Sequence, residues 1–332
     1  MNWSSPVKNP APSGAGLFVG SSSLPHASRD LLGLEGMSRE TILDILDRAD
    51  HYRSAWKLGR RTSRELEDFE VGNAFFEDST RTRISFELAE RRLGARVVSF
   101  TSNGSSISKG ETLLDTLQTV AAMGVALIVV RHGSAGAPAY LARHLDAGVV
   151  NAGDGEHEHP TQGLLDLLTL RDVWRGRFEG RRIAIVGDIA HSRVARSAIF
   201  GLRTLGAEVT IAGPATLLPR EGELSAAVAP NVEDALEGAD AVMTLRLQRE
   251  RMDEASVPST REYAREWGIN SERVELMNPE AVVLHPGPMN RGVEITSEVA
   301  DGRRSVVLDQ VENGVAVRCA VLARCAEALG KC

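Results

Sequence analysis

The stretch Phe75-Phe76-Glu77-Asp78-Ser79-Thr80-Arg81-Thr82-Arg83 places two guanidinium groups and three hydroxyls in five consecutive positions, directly after an apolar pair. Read as the start of a helix, Ser79, Thr80 and Thr82 offer hydroxyl donors beside the first free backbone N–H groups. The helix dipole favours an anion at the same point. Arg81 adds a planar fork suited to phosphate oxygens. A plain Ser/Thr cap with surface arginines would account for an isolated Ser-Thr-Arg, whereas this density points to a bound phosphate. Arg83, at the far edge of the cluster, serves either that anion or a structural ion pair.

Further polar groups stand after other apolar runs. Residues 102–112, SNGSSISKGET, form a Ser/Gly-rich loop carrying Lys109, of a kind that can close over a ligand; taken alone it reads as a mobile surface loop. It is not a Walker loop, because G-x-x-x-x-G-K-[ST] is absent. GEHEHPTQ (155–162) has histidines on both sides of Glu158. No third ligand follows at a characteristic metal-site spacing, and His-Pro at a helix start places one imidazole in a cleft more naturally. His159 and Gln162, three apart, can point the same way from the first turn. VGDIAHSRV (186–194) lacks G-x-G-x-x-G, which argues against a nicotinamide site. Arg246 and Gln248 in RLQRERMD directly follow a strand and so have reason to face a cleft, although most such charge runs are solvated helix faces. HPGP (285–288) reads as a rigid turn in which His285 is either a site residue or a hydrogen-bonded structural one.

The elements that must position these groups alternate in type. Ser38 caps a helix predicted over 39–57, with Ile42, Ile45, Leu46, Ala49 and Tyr52 on one face. A second runs from Ser79 or Thr80 to Leu93 and stops at Gly94. Strands are predicted at 96–100, 126–130, 148–152, 182–187, 208–213, 240–245 and 281–285. Helices are predicted at 110–123, 137–145, 161–175, 193–205 and 309–329. Apolar strands separated by amphipathic helices indicate an α/β fold of two domains, each a parallel sheet flanked by helices, joined by the helix at 161–175. Ligands of such sheets bind beyond the carboxyl ends of the strands. Arg131, His159, Arg193, Arg246 and the HPGP turn all fall there, which predicts an active-site cleft between the domains.

The remaining numbers set bounds. A chain of 332 residues is long enough for two cores. A net charge of −7 argues against a broad nucleic-acid surface but not against a local anion pocket. Cys319, Cys325 and Cys332 show no metal-site or disulfide spacing, which fits a reducing cytoplasm. The apolar run 119–130 is too short for a bilayer span. Residues 1–27 read as a flexible tail rich in Ser, Pro and Gly.

In this order, FFEDSTRTR, SKGET, VVRH, HPTQ, DIAHSRVARS and HPGPMNRGVEI closely resemble the aspartate carbamoyltransferase catalytic chains of the aspartate/ornithine carbamoyltransferase superfamily, over roughly residues 28–330. The resemblance implies transfer of the carbamoyl group of carbamoyl phosphate to the amine of L-aspartate, the first committed step of pyrimidine synthesis, with no metal or organic cofactor. It implies that Ser79, Thr80, Arg81 and Thr82 hold the phosphate. Arg131, His159 and Gln162 then surround the carbamoyl group with help from Thr82. Arg193, Arg246 and Gln248 bind the aspartate carboxylates, with Gly287 and Pro288 alongside. It further implies a cytoplasmic homotrimer in which Ser105 and Lys109 reach a neighbour's site, and in some relatives a regulatory chain or a dihydroorotase-like partner. The corresponding division is residues 28–160 plus 309–332 for carbamoyl phosphate and 161–308 for aspartate. The chemistry is consistent with the residues. Amine attack builds charge on the carbonyl oxygen, and fixed donors stabilise it by roughly 3 kcal/mol each. The departing phosphate needs cations rather than a covalent intermediate.

Two departures and two rivals stand beside this. Asp78 occupies a position where relatives often have proline or a small residue, and Gly287 replaces a larger apolar residue of some relatives. Ornithine carbamoyltransferases share the phosphate half but usually carry an HCLP turn and an SMG loop. Here the turn is HPGP, no SMG occurs, and Arg246 supplies a cation for a second carboxylate. A catalytically silent assembly subunit is the other rival. It would be favoured by loss of a phosphate-site arginine or of HPTQ, and both are retained.

Overall fold

A computed structural model describes residues 28–101, 111–247 and 259–330. The tail at 1–27, Ser105, Lys109, Gln248 and Cys332 lie outside the described residues. In chain order the first half comprises α1 (Arg39–Lys57), β1 (Glu70–Phe75), α2 (Thr80–Leu93), β2 (Arg96–Thr101), α3 (Leu113–Ala122), β3 (Leu127–His132), α4 (Ala137–His144) and β4 (Gly148–Asp154). Helix α5 (Pro160–Val173) leads to β5 (Arg182–Val186), α6 (Arg193–Thr204), β6 (Glu208–Ala212), β7 (Ala227–Val228), α7 (Val232–Leu236) and β8 (Ala241–Thr244). The described chain then forms α8 (Thr260–Trp267), α9 (Ser271–Val274), β9 (Val282–Leu284), α10 (Ser297–Ala300) and α11 (Val307–Ala328).

Both sheets are parallel throughout, ordered β2-β1-β3-β4 and β7-β6-β5-β8-β9. Strand side chains alternate between faces, and the apolar clusters follow that alternation. Val71, Phe75, Leu127, Val129 and Val150 join one cluster, while Ala74, Ile128, Val130 and Val149 join another under α3 and α4. In the second sheet Ile183, Ile185 and Met243 belong to the first cluster, and Ala184, Val186 and Val242 to a third. The largest core therefore passes from sheet to sheet, and α5 is its conduit. Pro160 to Leu170 are all buried, so α5 is enclosed on every side, as an apolar helix between two layers must be.

Helix α11 lies against α1, α2 and α5. Arg53 of α1 pairs with Asp172 and donates to Asn313 Oδ1 (2.7 Å), and Asn313 Nδ2 donates to Thr169 Oγ1 (2.9 Å), so polar bonds bolt α1, α5 and α11 together. Cys319 and Cys325 sit buried in α11, where burial pushes both thiols up to about 12. Among the described residues no helix is long and apolar enough to cross a membrane.

The capped helix at 39–57 forms as expected. Ser38 Oγ accepts the Thr41 N–H, and the predicted face is buried. Helix α2 ends at Gly94, whose φ of 85° is left-handed. The predicted strand at 126–130 runs on through His132, so Arg131 lies within the strand end, not after it. The helix predicted over 110–123 begins at Leu113, because the Thr112 hydroxyl caps it by accepting the Asp115 N–H (3.2 Å). Strands β1 and β7 and the short helices α7 to α10 were not expected.

Candidate active site

In each sheet the chain reverses its winding between two neighbouring strands, β1 and β3 in the first and β5 and β8 in the second. Beyond the carboxyl ends of such strands the flanking loops part and leave a crevice. The end of β1 leads through Glu77 to Ser79, and the end of β3 carries Arg131. The end of β5 leads to Arg193, and that of β8 to Arg246. The candidate groups thus converge because of strand order.

Ser79 is the N-cap of α2 in an extended conformation, and its hydroxyl makes no capping bond. That leaves the first-turn N–H groups and the hydroxyl for a ligand, as an anion site at a helix start requires. Thr82 is buried, while Thr80 and Arg81 are exposed. Among the described residues Arg81 makes no ion pair. Partial desolvation, then the nearby Arg246, holds its pKa below the usual guanidinium range. Gly287, at φ 63° and followed by a cis bond to Pro288, approaches this guanidinium. The left-handed φ is what favours glycine there; a β-carbon would stand at ordinary contact distance, 3.5 Å, from Arg81 Cζ. Arg83 forms no ion pair with a described residue, and Asp78 is exposed.

The next grouping is built differently. Glu77 Oε1 accepts from Arg131 Nη2 (2.8 Å) and Arg193 Nη2 (2.6 Å), and Glu77 Oε2 accepts from Arg193 Nη1 (3.0 Å). Arg131 Nη1 also donates to the Ala152 carbonyl (3.1 Å), and Arg193 Nη1 to that of Gly155 (3.2 Å). Both arginines are buried. They pass over Gly153, where a β-carbon would lie 3.0 Å from Arg131 Nη1 and 3.1 Å from Arg193 Nε. One carboxylate thus ties the end of β3 to the start of α6.

His159, the N-cap of α5, is buried, with its N–H bonded to Ser197 Oγ (2.9 Å). Burial first, then Arg131, Arg193 and Arg318, push its pKa well below the ordinary imidazole value. The ring is neutral at neutral pH, and its buried Nδ1 has no partner among the described residues. One turn on, Gln162 Nε2 donates to Asp166 Oδ1 (2.9 Å), and Gln310 Nε2 donates to the same oxygen (2.7 Å). Gln310 Oε1 accepts the His285 N–H (3.0 Å). His285 is the structural alternative of its two readings. Its Nδ1 accepts the Gly287 N–H (2.8 Å), which puts the ring proton on Nε2, facing Glu294 Oε1 at 3.2 Å.

Glu35, His157 and Glu158 bring potential metal-ligand atoms within 4.8 Å of one another. Glu158 is otherwise engaged. Its Oε2 accepts from the Leu34 N–H (2.8 Å) and Ser197 Oγ (2.7 Å), its Oε1 from the Glu35 N–H (3.0 Å), and His157 Nδ1 faces Asp154. These bonds fasten the start of the chain to the approach to α5.

Sequence reasoning gave no role to Glu77, Asp166, Gln310 or Arg318. Glu77 lies two residues beyond the end of β1, directly after the apolar Phe75-Phe76 pair, which is its one local signal. Arg318 is a buried cation behind the site, bonded to Ser85 Oγ (3.0 Å) and the Gly314 carbonyl (2.9 Å), with burial and then Arg131 pushing its pKa down to about 10.

Two parallel sheets with cations and a neutral histidine beyond their strand ends make a site for small anions. The chain belongs to the aspartate/ornithine carbamoyltransferase family. Residues 29–172 match the family's carbamoyl-P binding domain and residues 179–325 its Asp/Orn binding domain. The chain is 55% identical over 302 residues to the aspartate carbamoyltransferase catalytic subunit of Sorangium cellulosum, covering 90% of this chain and 92% of that one. It is 54% identical to the same subunit of Myxococcus xanthus, covering 90% and 99%. The structure resembles ornithine carbamoyltransferase from Pyrococcus furiosus (TM-score 0.82, 29% identity, covering 90% and 97%). It also resembles aspartate transcarbamoylase from Trypanosoma cruzi in complex with N-(phosphonacetyl)-L-aspartic acid (TM-score 0.81, 29% identity, covering 92% and 97%).

Proposed function

We propose that this carbamoyltransferase joins carbamoyl phosphate to L-aspartate, giving N-carbamoyl-L-aspartate and phosphate in the cytoplasm. The observation that carries the acceptor choice is the meeting of cations from both sheets. Arg131 and Arg193 share Glu77, and Arg246 stands close enough to Arg81 to act on its protonation. A dicarboxylate needs two such cations beside the phosphate site, whereas ornithine would bring a second positive charge to them.

In this reading Ser79, Thr80, Arg81 and Thr82 take the phosphate. Arg131, Thr82 and His159 face the developing oxyanion, and Gln162 meets the carbamoyl amide. Neutral His159 contributes an N–H without a further charge. Arg193, Arg246, Gln248 and the Gly287-Pro288 backbone take the aspartate, with Ser105 and Lys109 supplied by a neighbouring subunit. Fixed dipoles and orientation supply the acceleration. The carbamoyl phosphate domain is 28–160 plus 309–332, supported by the packing of α11 on α1 and α2, and the aspartate domain is 161–308. A homotrimer is supported by exposed Ile84 and Leu88, one turn apart on α2, and exposed Val98 on the edge strand β2. A regulatory chain or dihydroorotase-like partner would add to that trimer, and the mass of the intact copurified complex tests both.

The direct test offers purified protein carbamoyl phosphate with either aspartate or ornithine. Turnover is expected with aspartate, and preference for ornithine overturns the acceptor assignment.

A further inference from the structure

A backbone donor fixes the orientation of one amide behind the site. A backbone N–H only donates, so the Gln310 atom that meets the His285 N–H must be its oxygen. Its Nε2 is then the end that faces Asp166. The same carboxyl oxygen accepts from Gln162 Nε2. With that nitrogen committed, Oε1 is the end of Gln162 left to meet a ligand. The four residues come from α5, α11 and the turn after β9, so one carboxyl joins the helix carrying Gln162 to the turn that lies on Arg81.

We propose that Asp166 is a positioning residue for carbamoyl transfer: it sets the orientation of the Gln162 amide and, through Gln310, fixes that amide relative to the His285–Pro288 turn. This rests on the reading that Gln162 meets the carbamoyl group. Without the acceptor at 166, Gln162 can rotate its amide and present N–H groups to the carbamoyl N–H groups, which repel. Burial raises the Asp166 carboxyl to about 7, and its Oδ2 has no partner among the described residues. A proton on Oδ2 leaves Oδ1 still accepting both amides. The role therefore needs the oxygen and not the charge, and an asparagine should replace it.

The test is steady-state kinetics, with carbamoyl phosphate varied at saturating aspartate, of Asp166→Ala, Gln162→Leu, the double variant and Asp166→Asn. Asp166→Ala is expected to lower kcat by roughly tenfold to a hundredfold, the cost of a misplaced contact group. The double variant should be no slower than Gln162→Leu alone, because coupled residues do not add. Asp166→Asn should recover turnover to within about threefold of the parent, as an amide oxygen accepts the same two N–H groups. A double variant slower by the full Asp166→Ala factor, or an Asn variant as slow as the Ala one, overturns the proposal alone. Wild-type turnover by Gln162→Leu overturns the reading of Gln162 and the proposal with it. Thermal unfolding accompanies each variant. Should Asp166→Ala not fold, Gln310→Leu takes its place in the cycle, with the same expectation of no added loss.

Discussion

Arg81 and the Arg131–Arg193 pair occupy neighbouring parts of one cleft, yet the chain treats their charges in opposite ways. Arg131 and Arg193 are buried and share a carboxylate, which offsets their charge before any ligand arrives and fastens the end of β3 to the start of α6. Arg81 stands at a helix start with no ion pair among the described residues, and its nearby charged neighbour is a like charge, Arg246. The first arrangement serves the geometry of the unliganded protein. The second leaves an exposed guanidinium at a helix start open to a bound anion. A cation with no protein counter-charge gains most from a phosphate, and a cation already paired gains orientation.

Removing each charge should therefore affect function and stability differently. Arg81→Ala should lower kcat/KM for carbamoyl phosphate by about a thousandfold, at the upper end of the loss for one preorganised donor. Its melting temperature should hold, since this exposed guanidinium makes no ion pair with a described residue. Near-normal turnover would refute the phosphate assignment. Glu77→Gln should lower kcat less, roughly tenfold to a hundredfold, but should also cost about 2 to 3 kcal/mol of stability, because it removes the carboxylate that two buried guanidinium groups share. Urea unfolding measures the second effect. If Glu77→Gln is as stable as the parent, the contrast between the two groupings is broken.

The phosphate grouping was legible in the sequence because its donors are consecutive, and the helix start that aims them is local. The clamp was not. Glu77 stood inside the stretch that drew attention first, but its partner Arg193 lies 116 positions away, and only strand order brings them together. Strand β1 was missed for a related reason. Glu70, Gly72 and Asn73 interrupt its apolar run, yet it pairs with both β2 and β3. A β-carbon on Gly72 would meet Val125 Cγ1 at 3.0 Å, and buried Asn73 donates to Glu90 Oε2 (2.8 Å), so each breach of the strand pattern answers a tertiary neighbour. Helices α7 to α10, of four to eight residues, are too short to show a period. Asp166 sits in the apolar run Leu164-Leu165-Asp166-Leu167-Leu168, where nothing local marks it as the meeting point of two amides.

The smallest functional effect is expected at Glu90, in the last turn of α2. This carboxyl is buried, bonded to an amide instead of a guanidinium, and burial raises it to about 8. Its folded pKa exceeds the unfolded one, so the folded state holds the proton more tightly between roughly pH 4.5 and 8. Stability from this group is complete below that window and declines as pH rises through it, by at most about 1.4 kcal/mol per pH unit. Glu90→Gln removes the titration. Its stability relative to the parent should therefore improve from pH 5.5 to pH 8, in urea unfolding at each pH, while kcat/KM stays within about twofold. A large change in kcat/KM would mean that the charge behind α2 also sets the field at its N-terminus. The readiness of Arg81 for an anion would then belong to the whole helix and not to the cleft alone.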